Sequence, residues 1–487
     1  MPVGVQIGTP RSLVAMACPL PRHIHFIGAL GRGMGAVIEA VASEAVRVTG
    51  SDRPTAYGPL RQRLSERGVH VDLGFDVAHL QPRPDLVVIG RSFGRGNPEV
   101  EMVLSECIPY LSLSQFLSVF FLNGSRNFLV AGSTGKTTTT AMLVQILRAA
   151  GLDPGYVIGG RPRSGLASAR LGGGLHVLEA DEYTSLWWDD HAKFLDYRPD
   201  VLIITNVYPD HPDIFPDHEI SLAQYRALIA QLPESGLLVI GESRLSLGMD
   251  SLLAEAPCPV VVLDADRPTP ECGWSLQQSA DALRFQWQDA DFELAIPGAV
   301  NARNAVCAAL AAAELSVTAE QSALALRGFQ GVQGRLERLS SARIDASASI
   351  VYLDCYGYLP ISLARNLETL RTLHPGRRLV LCYHIFIVDR LPTIRDDLHE
   401  VLLQWDEVVI IAEPMSASTN APANTSFMNV LASDLAMCGS SVYGPVSLVA
   451  CGRHLAAQQM ESSVVLCTVH PSLEPRVREL VAGQVDR

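Results

Sequence analysis

The sequence predicts an α/β protein of three domains, with a Rossmann-like unit on either side of a central P-loop domain. Its 487 residues are enough for about three domains of roughly 150 residues each. Apolar runs typical of buried strands recur along the whole chain, and two of them lead into glycine-rich turns. The expected domains are residues 1–122, 123–338 and 339–487.

The composition excludes several classes of protein. Hydrophobic residues make up 48% of the chain, but no apolar run reaches the ~18 residues of a membrane span. The formal net charge of -13 argues against duplex nucleic acid as the main partner, because that partner needs a basic face. The ten cysteines form no CxxC pair and no metal-ligand cluster, which predicts reduced thiols in a cytoplasmic enzyme. Residues 13–20 only faintly resemble a secretion signal, since a strand follows them directly.

The first glycine-rich turn connects a strand predicted over residues 23–27 to a helix predicted over residues 36–44. Such a turn favours a nucleotide diphosphate, because the amides at a helix N-terminus attract anions. The candidate binding residues are Gly28, Gly31, Gly33 and Met34. On the pattern alone, the glycines also fit close packing of the helix against its neighbours.

A second strand, predicted over residues 45–49, ends near two further candidates, Ser51 and Asp52. An acidic residue at this point of a βαβ unit can meet a ribose or a base. Residues 85–90 and 108–112 predict two more strands. The first domain is therefore expected to be a parallel α/β unit.

The second glycine-rich turn carries more specific chemistry. Residues 132–140 read GSTGKTTTT, after a strand predicted over residues 127–131 and before a helix predicted over residues 141–150. Glycines let a backbone wrap phosphates, a lysine neutralises the terminal phosphates, and a threonine hydroxyl binds Mg²⁺. The alternative is an ordinary turn that opens a helix. The candidate nucleotide-binding residues are Gly132, Ser133, Thr134, Gly135, Lys136, Thr137 and Thr138.

Two polar residues follow the next predicted strands of this domain. Glu179 follows residues 176–178, and His211 follows residues 201–205. Carboxyl ends of parallel strands converge, so both side chains should face Lys136, where a carboxylate and an imidazole suit Mg²⁺. Alternatively, Glu179 is a helix-dipole partner and His211 a hydrogen-bonded turn histidine. The predicted metal ligands are Thr137, Glu179 and His211, and the predicted catalytic residues are Lys136, Glu179 and His211.

The second domain ends with a helix and a linker. Residues 297–304 open an alanine-rich helix, and the amides of Asn301 and Asn304 either cap this helix or contact a purine. The sequence alone favours capping. Arg335 lies in the linker-like segment 328–338. A third domain begins near Ser340, with strands predicted over residues 351–354, 378–383, 407–411 and 464–467.

These motifs resemble the Mur ligase family, ATP-dependent enzymes that add amino acids or peptides to UDP-N-acetylmuramate. The similarity points to the branch that adds alanine or the murein tripeptide. In the first domain it is carried by residues 25–35, 50–52, 97–99 and 108–109. In the second domain it is carried by residues 132–139, 179–183, 197–199 and 210–217.

The resemblance implies an amide ligase that uses ATP and Mg²⁺. The first domain would bind the UDP part of a carboxylate substrate, and Lys136 and Thr137 would bind the ATP phosphates and Mg²⁺. Asn301 and Asn304 would lie on the adenine side, and Arg335 on the phosphates. The carboxylate becomes an acyl phosphate, which the amine of an amino acid or peptide attacks. The implied partners are small molecules, neither nucleic acid nor membrane, and a homodimer is compatible with the sequence.

The third domain departs from the family pattern. The Asp-Asp-Tyr-Ala-His-His-Pro of the relatives becomes residues 354–360, DCYGYLP, so that Cys355 replaces an aspartate and Tyr358 a histidine. The aspartate is expected to meet the nucleotide, and a thiol is a weak hydrogen-bonding group, so ATP should couple less tightly to domain closure. These departures favour an unusual amine substrate in specialised metabolism. They also leave a second hypothesis, a nucleotide-binding pseudo-ligase that acts as a partner or regulator.

Overall fold

The computed structural model describes residues 19–43, 45–54, 58–189, 191–208, 218–242, 248–263, 275–279, 282–339, 350–385, 391–413, 421–457 and 463–482. Within these ranges the strands form sheets of five, seven, three and six strands. The three larger sheets are wholly or mainly parallel and are packed with helices, which confirms the predicted α/β class with three domains. No helix of the described part is long and apolar enough to cross a membrane.

The first sheet has the order β3-β2-β1-β4-β5, and all its strands are parallel. This is the strand order of a Rossmann-type unit, in which ligands bind where the order reverses, between β1 and β4. Its strands are β1 (His23–Ile27), β2 (Arg47–Asp52), β3 (His70–Leu73), β4 (Leu86–Ile89) and β5 (Tyr110–Ser112). Its helices are α1 (Arg32–Val41), α2 (Gly58–Glu66), α3 (Pro98–Ser105) and α4 (Leu113–Leu117).

Helix α1 begins earlier than the sequence predicts. The prediction started the helix at residue 36, whereas the structure starts it at Arg32, so that Gly33 and Gly35 lie inside the helix. A Cβ atom at Gly35 would lie 2.4 Å from a methyl carbon of Leu60 in α2. Part of the glycine-rich segment therefore serves close packing of α1 against α2, as the alternative interpretation had it.

The second sheet has the order β12-β11-β10-β6-β9-β7-β8, and only the β7–β8 pair within it is antiparallel. Its strands are β6 (Arg126–Ala131), β7 (Gly155–Val157), β8 (Ala169–Arg170), β9 (Leu175–Glu179), β10 (Val201–Ile204), β11 (Leu237–Ile240) and β12 (Val260–Val262). The helices of this domain are α5 (Lys136–Ala149), α6 (His218–Ile229), α7 (Met249–Leu253), α8 (Ala299–Ala313) and α9 (Ala319–Leu326). Helix α5 begins at Lys136, five residues before the predicted start at 141, because the P-loop leads directly into its first turn.

A three-stranded antiparallel sheet, which the sequence did not predict, completes the second domain. Its strands are β13 (Ser275–Gln278), β14 (Leu283–Trp287) and β15 (Ala290–Leu294). Phe285 and Phe292 stack on paired strands with ring centroids 4.8 Å apart, and they join the apolar core formed by α5, α8 and α9. The small sheet thus closes one side of the P-loop domain.

The third sheet of parallel type has the order β16-β17-β21-β18-β19-β20, with β16 antiparallel to β17. Its strands are β16 (Glu337–Leu339), β17 (Ile350–Asp354), β18 (Arg378–His384), β19 (Glu407–Ile411), β20 (Val442–Val446) and β21 (Ser463–Thr468). Its helices are α10 (Pro360–Leu373), α11 (Leu391–Leu402), α12 (Ala421–Met437), α13 (Leu448–Ala457) and α14 (Glu474–Val481). The last residue of β17, Asp354, brings the altered segment 354–360 to the edge that faces the P-loop.

Candidate active site

One cavity of about 510 Å³ lies where the three domains meet. The first domain contributes Arg32, Gly33, Leu113 and Leu117 to its walls. The second domain contributes the P-loop, Glu179, Asp181, Lys193, Asn301 and Asn304, and the following linker contributes Arg335. The third domain contributes residues 354–359, Ser362, Arg365, Asn366, His470 and Pro471. A substrate in this cavity would therefore touch all three domains.

The P-loop has a shape that only glycine allows at two positions. Gly132 has φ +121°, and a Cβ atom there would lie 2.2 Å from the hydroxyl oxygen of Thr205. Gly135 has φ +88°, and a Cβ atom there would lie 2.9 Å from the side-chain oxygen of Asn304. Both positions combine a left-handed backbone with a close neighbour. The backbone shape of the turn that the sequence predicts to bind phosphates thus depends on glycine at both positions.

The remaining P-loop side chains are fixed by the loop that follows β10. Ser133 accepts a hydrogen bond from the amide of Tyr208 (2.9 Å), and the amide of Thr134 donates to the side chain of Asn206 (2.9 Å). Thr138 lies in the first turn of α5 and is largely buried. These contacts hold the loop between two neighbouring strands.

Lys136 projects from the first residue of α5 into a cluster of carboxylates. Its Nζ atom lies 2.9 Å from Glu182 and 3.7 Å from Asp181. Burial disfavours the charged ammonium, but the two carboxylates outweigh burial and raise the pKa of Lys136 well above its ordinary value. Lys193 lies 2.7 Å from Asp181, so both lysines of the chain meet at one carboxylate. Lys193 was missed as a site residue, although the rarity of lysine in the sequence was a signal for it.

Thr137, Glu179 and Arg335 meet beside the P-loop, as predicted for residues that share one site. The hydroxyl of Thr137 donates to Glu179 (3.0 Å) and accepts from the guanidinium of Arg335 (2.9 Å). The second oxygen of Glu179 accepts from the amide of Gly159 at 2.8 Å. Burial lowers the pKa of Arg335 from its ordinary value, with nearby Asp354 acting against this. The hydroxyl and the carboxylate are oxygen donors of the kind that Mg²⁺ prefers.

His211 and the rest of the segment 210–217 lie outside the described residues. Among the residues that the structure describes, no group of three or more His, Cys, Asp or Glu side chains has a metal-binding arrangement.

Asn301 and Asn304 both line the cavity and are hydrogen-bonded to each other at 3.1 Å. The prediction that the asparagine side chains cap α8 is wrong. The N-cap position is occupied by Gly298, which has no side chain, and the side chain of Asn301 donates to the carbonyl oxygen of Pro297 instead.

The predicted substrate-binding residues of the first domain are distributed differently. Gly33 lines the cavity, whereas Gly28, Gly31, Met34, Ser51 and Asp52 are not among the residues that line it. Asp52 accepts hydrogen bonds from the amides of Leu30 and Arg53, both at 2.7 Å, and so holds the glycine turn. Burial raises the pKa of Asp52, and these hydrogen bonds oppose the shift.

A buried polar network underlies this turn and was not predicted. Ser51 donates to Glu99, and the carboxylate of Glu99 also lies 2.7 Å from His79 and 3.5 Å from His25. Burial favours the neutral form of Glu99, but the nearby imidazole of His25 and the hydrogen bond from Ser51 outweigh it and lower the pKa of Glu99. The motif that contains Glu99 was noted in the sequence, yet the histidines are distant along the chain and their role needs the fold.

Tyr356 lies at the junction of the three domains. The guanidinium carbon of Arg335 lies 3.8 Å from the centre of its ring, and that of Arg32, from the first domain, lies 5.2 Å away. Such cation–π contacts contribute about 0.5–2 kcal/mol each. The neighbouring Cys355 is fully buried, and its sulfur lies 3.9 Å from a carboxylate oxygen of Glu474. Burial raises the pKa of this thiol, so that it stays neutral.

Comparison with known proteins gives a consistent picture. The family model of the Mur ligase family, catalytic domain, matches residues 23–123, and that of the Mur ligase middle domain matches residues 130–312. The chain is 34% identical, over 72% of its length and 76% of the relative, to the UDP-N-acetylmuramate--L-alanyl-gamma-D-glutamyl-meso-2,6-diaminoheptandioate ligase of Haemophilus influenzae. It is 32% identical to the enzyme of the same name from Escherichia coli, over 80% of its length and 84% of the relative.

A solved structure extends the similarity to the third domain. The crystal structure of a murein peptide ligase from Psychrobacter arcticus superposes with a TM-score of 0.69 at 25% identity. The match covers 96% of this chain and 100% of that chain.

Proposed function

Because the chain belongs to the Mur ligase family, we propose that it is an ATP-dependent ligase that joins the carboxylate of a UDP-N-acetylmuramate-like substrate to an amine. The observation that carries the proposal is the convergence of the P-loop, Glu179 and Arg335 on one cavity between the three domains. The relatives are named as ligases, which favours this activity over a nucleotide-binding regulator.

The residues present fit ATP and Mg²⁺. Gly132 and Gly135 leave the space that a side chain would fill, and Lys136 and Arg335 provide positive charge beside it. Thr137 and Glu179 offer oxygen donors to Mg²⁺, and we assign His211 as the remaining ligand on sequence grounds. When bound, ATP supplies the phosphoryl group that turns a carboxylate oxygen into a leaving group.

The order of bond changes follows from the chemistry of a carboxylate, which is a poor electrophile. A carboxylate oxygen takes the terminal phosphoryl group and ADP leaves. The amine nitrogen then attacks the carbonyl carbon, phosphate leaves, and the nitrogen loses a proton. Lys136 and Arg335 would disperse the negative charge that builds during the first step.

The first domain is proposed to hold the UDP part, with Gly28 to Gly33 near the diphosphate and Arg32 and Gly33 at the cavity. The amine would enter from the third domain, where residues 354–359 form the opposite wall.

The eight cysteines of the described part carry free thiols, which fits a reducing compartment, and we propose that the protein works in the cytoplasm.

ADP release with UDP-N-acetylmuramate and a panel of amines tests this function. The panel contains alanine, the murein tripeptide and unrelated primary amines, and mass spectrometry identifies the product. We expect ADP to form only when both a carboxylate and an amine are present. Tight ATP binding without turnover for any amine would instead support the regulator.

A further inference from the structure

The side chain of Arg365 joins the third domain to the second. Arg365 lies on α10, and its Nη2 atom donates to the hydroxyl of Tyr208 at 2.9 Å and to the carboxylate of Glu242 at 2.5 Å. Its Nη1 atom donates to the hydroxyl of Thr134, in the P-loop, at 3.3 Å. One guanidinium thus contacts three residues of the P-loop domain.

The partners of Arg365 are themselves held in place. Tyr208 donates to Glu242 at 2.7 Å, and Arg303 of α8 lies 3.1 Å from the other oxygen of the same carboxylate. The side chain of Glu242 is only 2% exposed. Burial opposes ionisation of this carboxyl group, but Arg365 and Arg303 outweigh burial and lower the pKa of Glu242. Glu242 therefore remains charged at neutral pH and needs a cation beside it.

Burial distinguishes this contact from an ordinary surface ion pair. Exposed ion pairs contribute roughly 0–1 kcal/mol, because water screens them and the side chains lose entropy. The Arg365 side chain is 18% exposed, and its fork geometry engages several acceptors at once. Removing one partner from such a buried pair has a large effect. The contact can therefore control the position of the third domain relative to the P-loop domain.

We propose that Arg365 is a positioning residue that docks the third domain, with its amine-binding wall, onto the P-loop domain through Glu242. The inference rests on the proposed function, since it concerns the step in which the amine meets the activated carboxylate. Because ATP is bound mainly by the P-loop domain, Arg365 should affect turnover much more than ATP affinity. A residue needed only for folding would not produce this separation in a folded variant.

Arg365→Ala is the first variant to measure. Glu242 keeps Arg303 as a partner, so the second domain should fold. We expect kcat to fall about 10²-fold with little change in the KM for ATP. Arg365→Lys keeps the charge but cannot span the same acceptors, and its kcat should lie between those of Arg365→Ala and the native chain. The matched control is Arg371→Ala, on the same helix, whose side chain bonds the carbonyl of Gln404 within the third domain.

A double-mutant cycle with Glu242→Gln tests the route of the effect. If Arg365 acts through Glu242, Arg365→Ala combined with Glu242→Gln should lower kcat no further than the more damaging single substitution. Multiplicative losses in the double variant would overturn the proposal. Native kcat in Arg365→Ala, or an equal loss in Arg371→Ala, would overturn it as well.

Small-angle X-ray scattering keeps the test independent of ligase activity. Without nucleotide, Arg365→Ala should have a larger radius of gyration than the native chain and Arg371→Ala, because the third domain is released. If no carboxylate and amine pair gives turnover, the proposed function fails, and this measurement alone decides the docking role. An unchanged radius of gyration in that case would overturn it.

Discussion

The two walls of the cavity are built in different ways. The P-loop wall comes from consecutive residues 132–138, which follow one strand and include the start of one helix. In the opposite wall, Arg365 bonds to residues that are 123, 157 and 231 positions away along the chain. The comparison teaches that phosphate binding can be written into a short motif, whereas domain docking depends on contacts that only the fold brings together.

Among the substitutions in the P-loop wall, Lys136→Ala should have the largest effect on turnover. Loss of a charge that stabilises the transferring phosphoryl group costs about 10²-fold or more in turnover. The melting temperature should also fall, because one cation beside the buried Glu182 is removed. Adding Glu182→Gln should recover stability but not ADP release. Native turnover in Lys136→Ala would remove the P-loop from the mechanism.

Gly132→Ala tests whether the shape of the P-loop is as demanding as its charge. The substitution forces a Cβ atom into a left-handed backbone and onto Thr205, so we expect a loss of about 1–3 kcal/mol of stability and a distorted phosphate site. Gly151→Ala is the matched control, with φ +80° and no heavy atom within 4 Å of the added carbon. Denaturant unfolding should show a clearly larger loss at Gly132. Equal losses of stability at the two positions would mean that the contact with Thr205 contributes nothing to the cost at Gly132.

His176 tests whether acid loosens the P-loop domain. Burial of this side chain in β9 lowers its pKa from 6.5 to about 4. The unfolded chain therefore takes up the proton first, so the stability is present above pH 6.5 and is lost as pH falls toward 4. The loss is at most about 3 kcal/mol for a shift of this size. His176→Asn should flatten the decline in melting temperature across this interval, whereas a substitution at the exposed His70 should not. An identical decline in His176→Asn would contradict the assignment.

Cys355→Ser should have the smallest effect on activity. It tests the role of the altered segment 354–360 in the third domain. The thiol is fully buried beside Gly334 and Glu474, so its role is packing, and ATP affinity measured by calorimetry should change little. Cys355→Asp should instead lower the melting temperature, because a second carboxylate would be buried near Glu474. A loss of turnover by orders of magnitude in Cys355→Ser would show that the sulfur has a chemical role.

The sequence predicted the features that depend on local chemistry. The strand, turn and helix around Lys136 and the meeting of Thr137 with Glu179 follow from spacing and from the convergence of parallel strands. The place of Arg335 beside them was implied only by the resemblance to the Mur ligase family. The start of α1 was predicted too late, because glycines that suit a phosphate turn also suit tight helix packing.

The contacts between domains were not predicted. Nothing near Arg365 in the sequence indicates Glu242 as its partner, and nothing near Tyr356 indicates that Arg32 and Arg335 lie on its ring. Each of these pairs joins side chains from different domains. Their geometry is set by how the domains pack, which short-range pattern does not encode.

The most direct test of the central claim follows the oxygen atoms of the carboxylate. UDP-N-acetylmuramate labelled with oxygen-18 in its carboxylate is incubated with ATP and an amine that supports turnover, and the released phosphate is analysed by mass spectrometry. Activation as an acyl phosphate predicts that a labelled oxygen atom leaves with the phosphate and that ADP is the other product. Unlabelled phosphate, or AMP with pyrophosphate, would contradict the account.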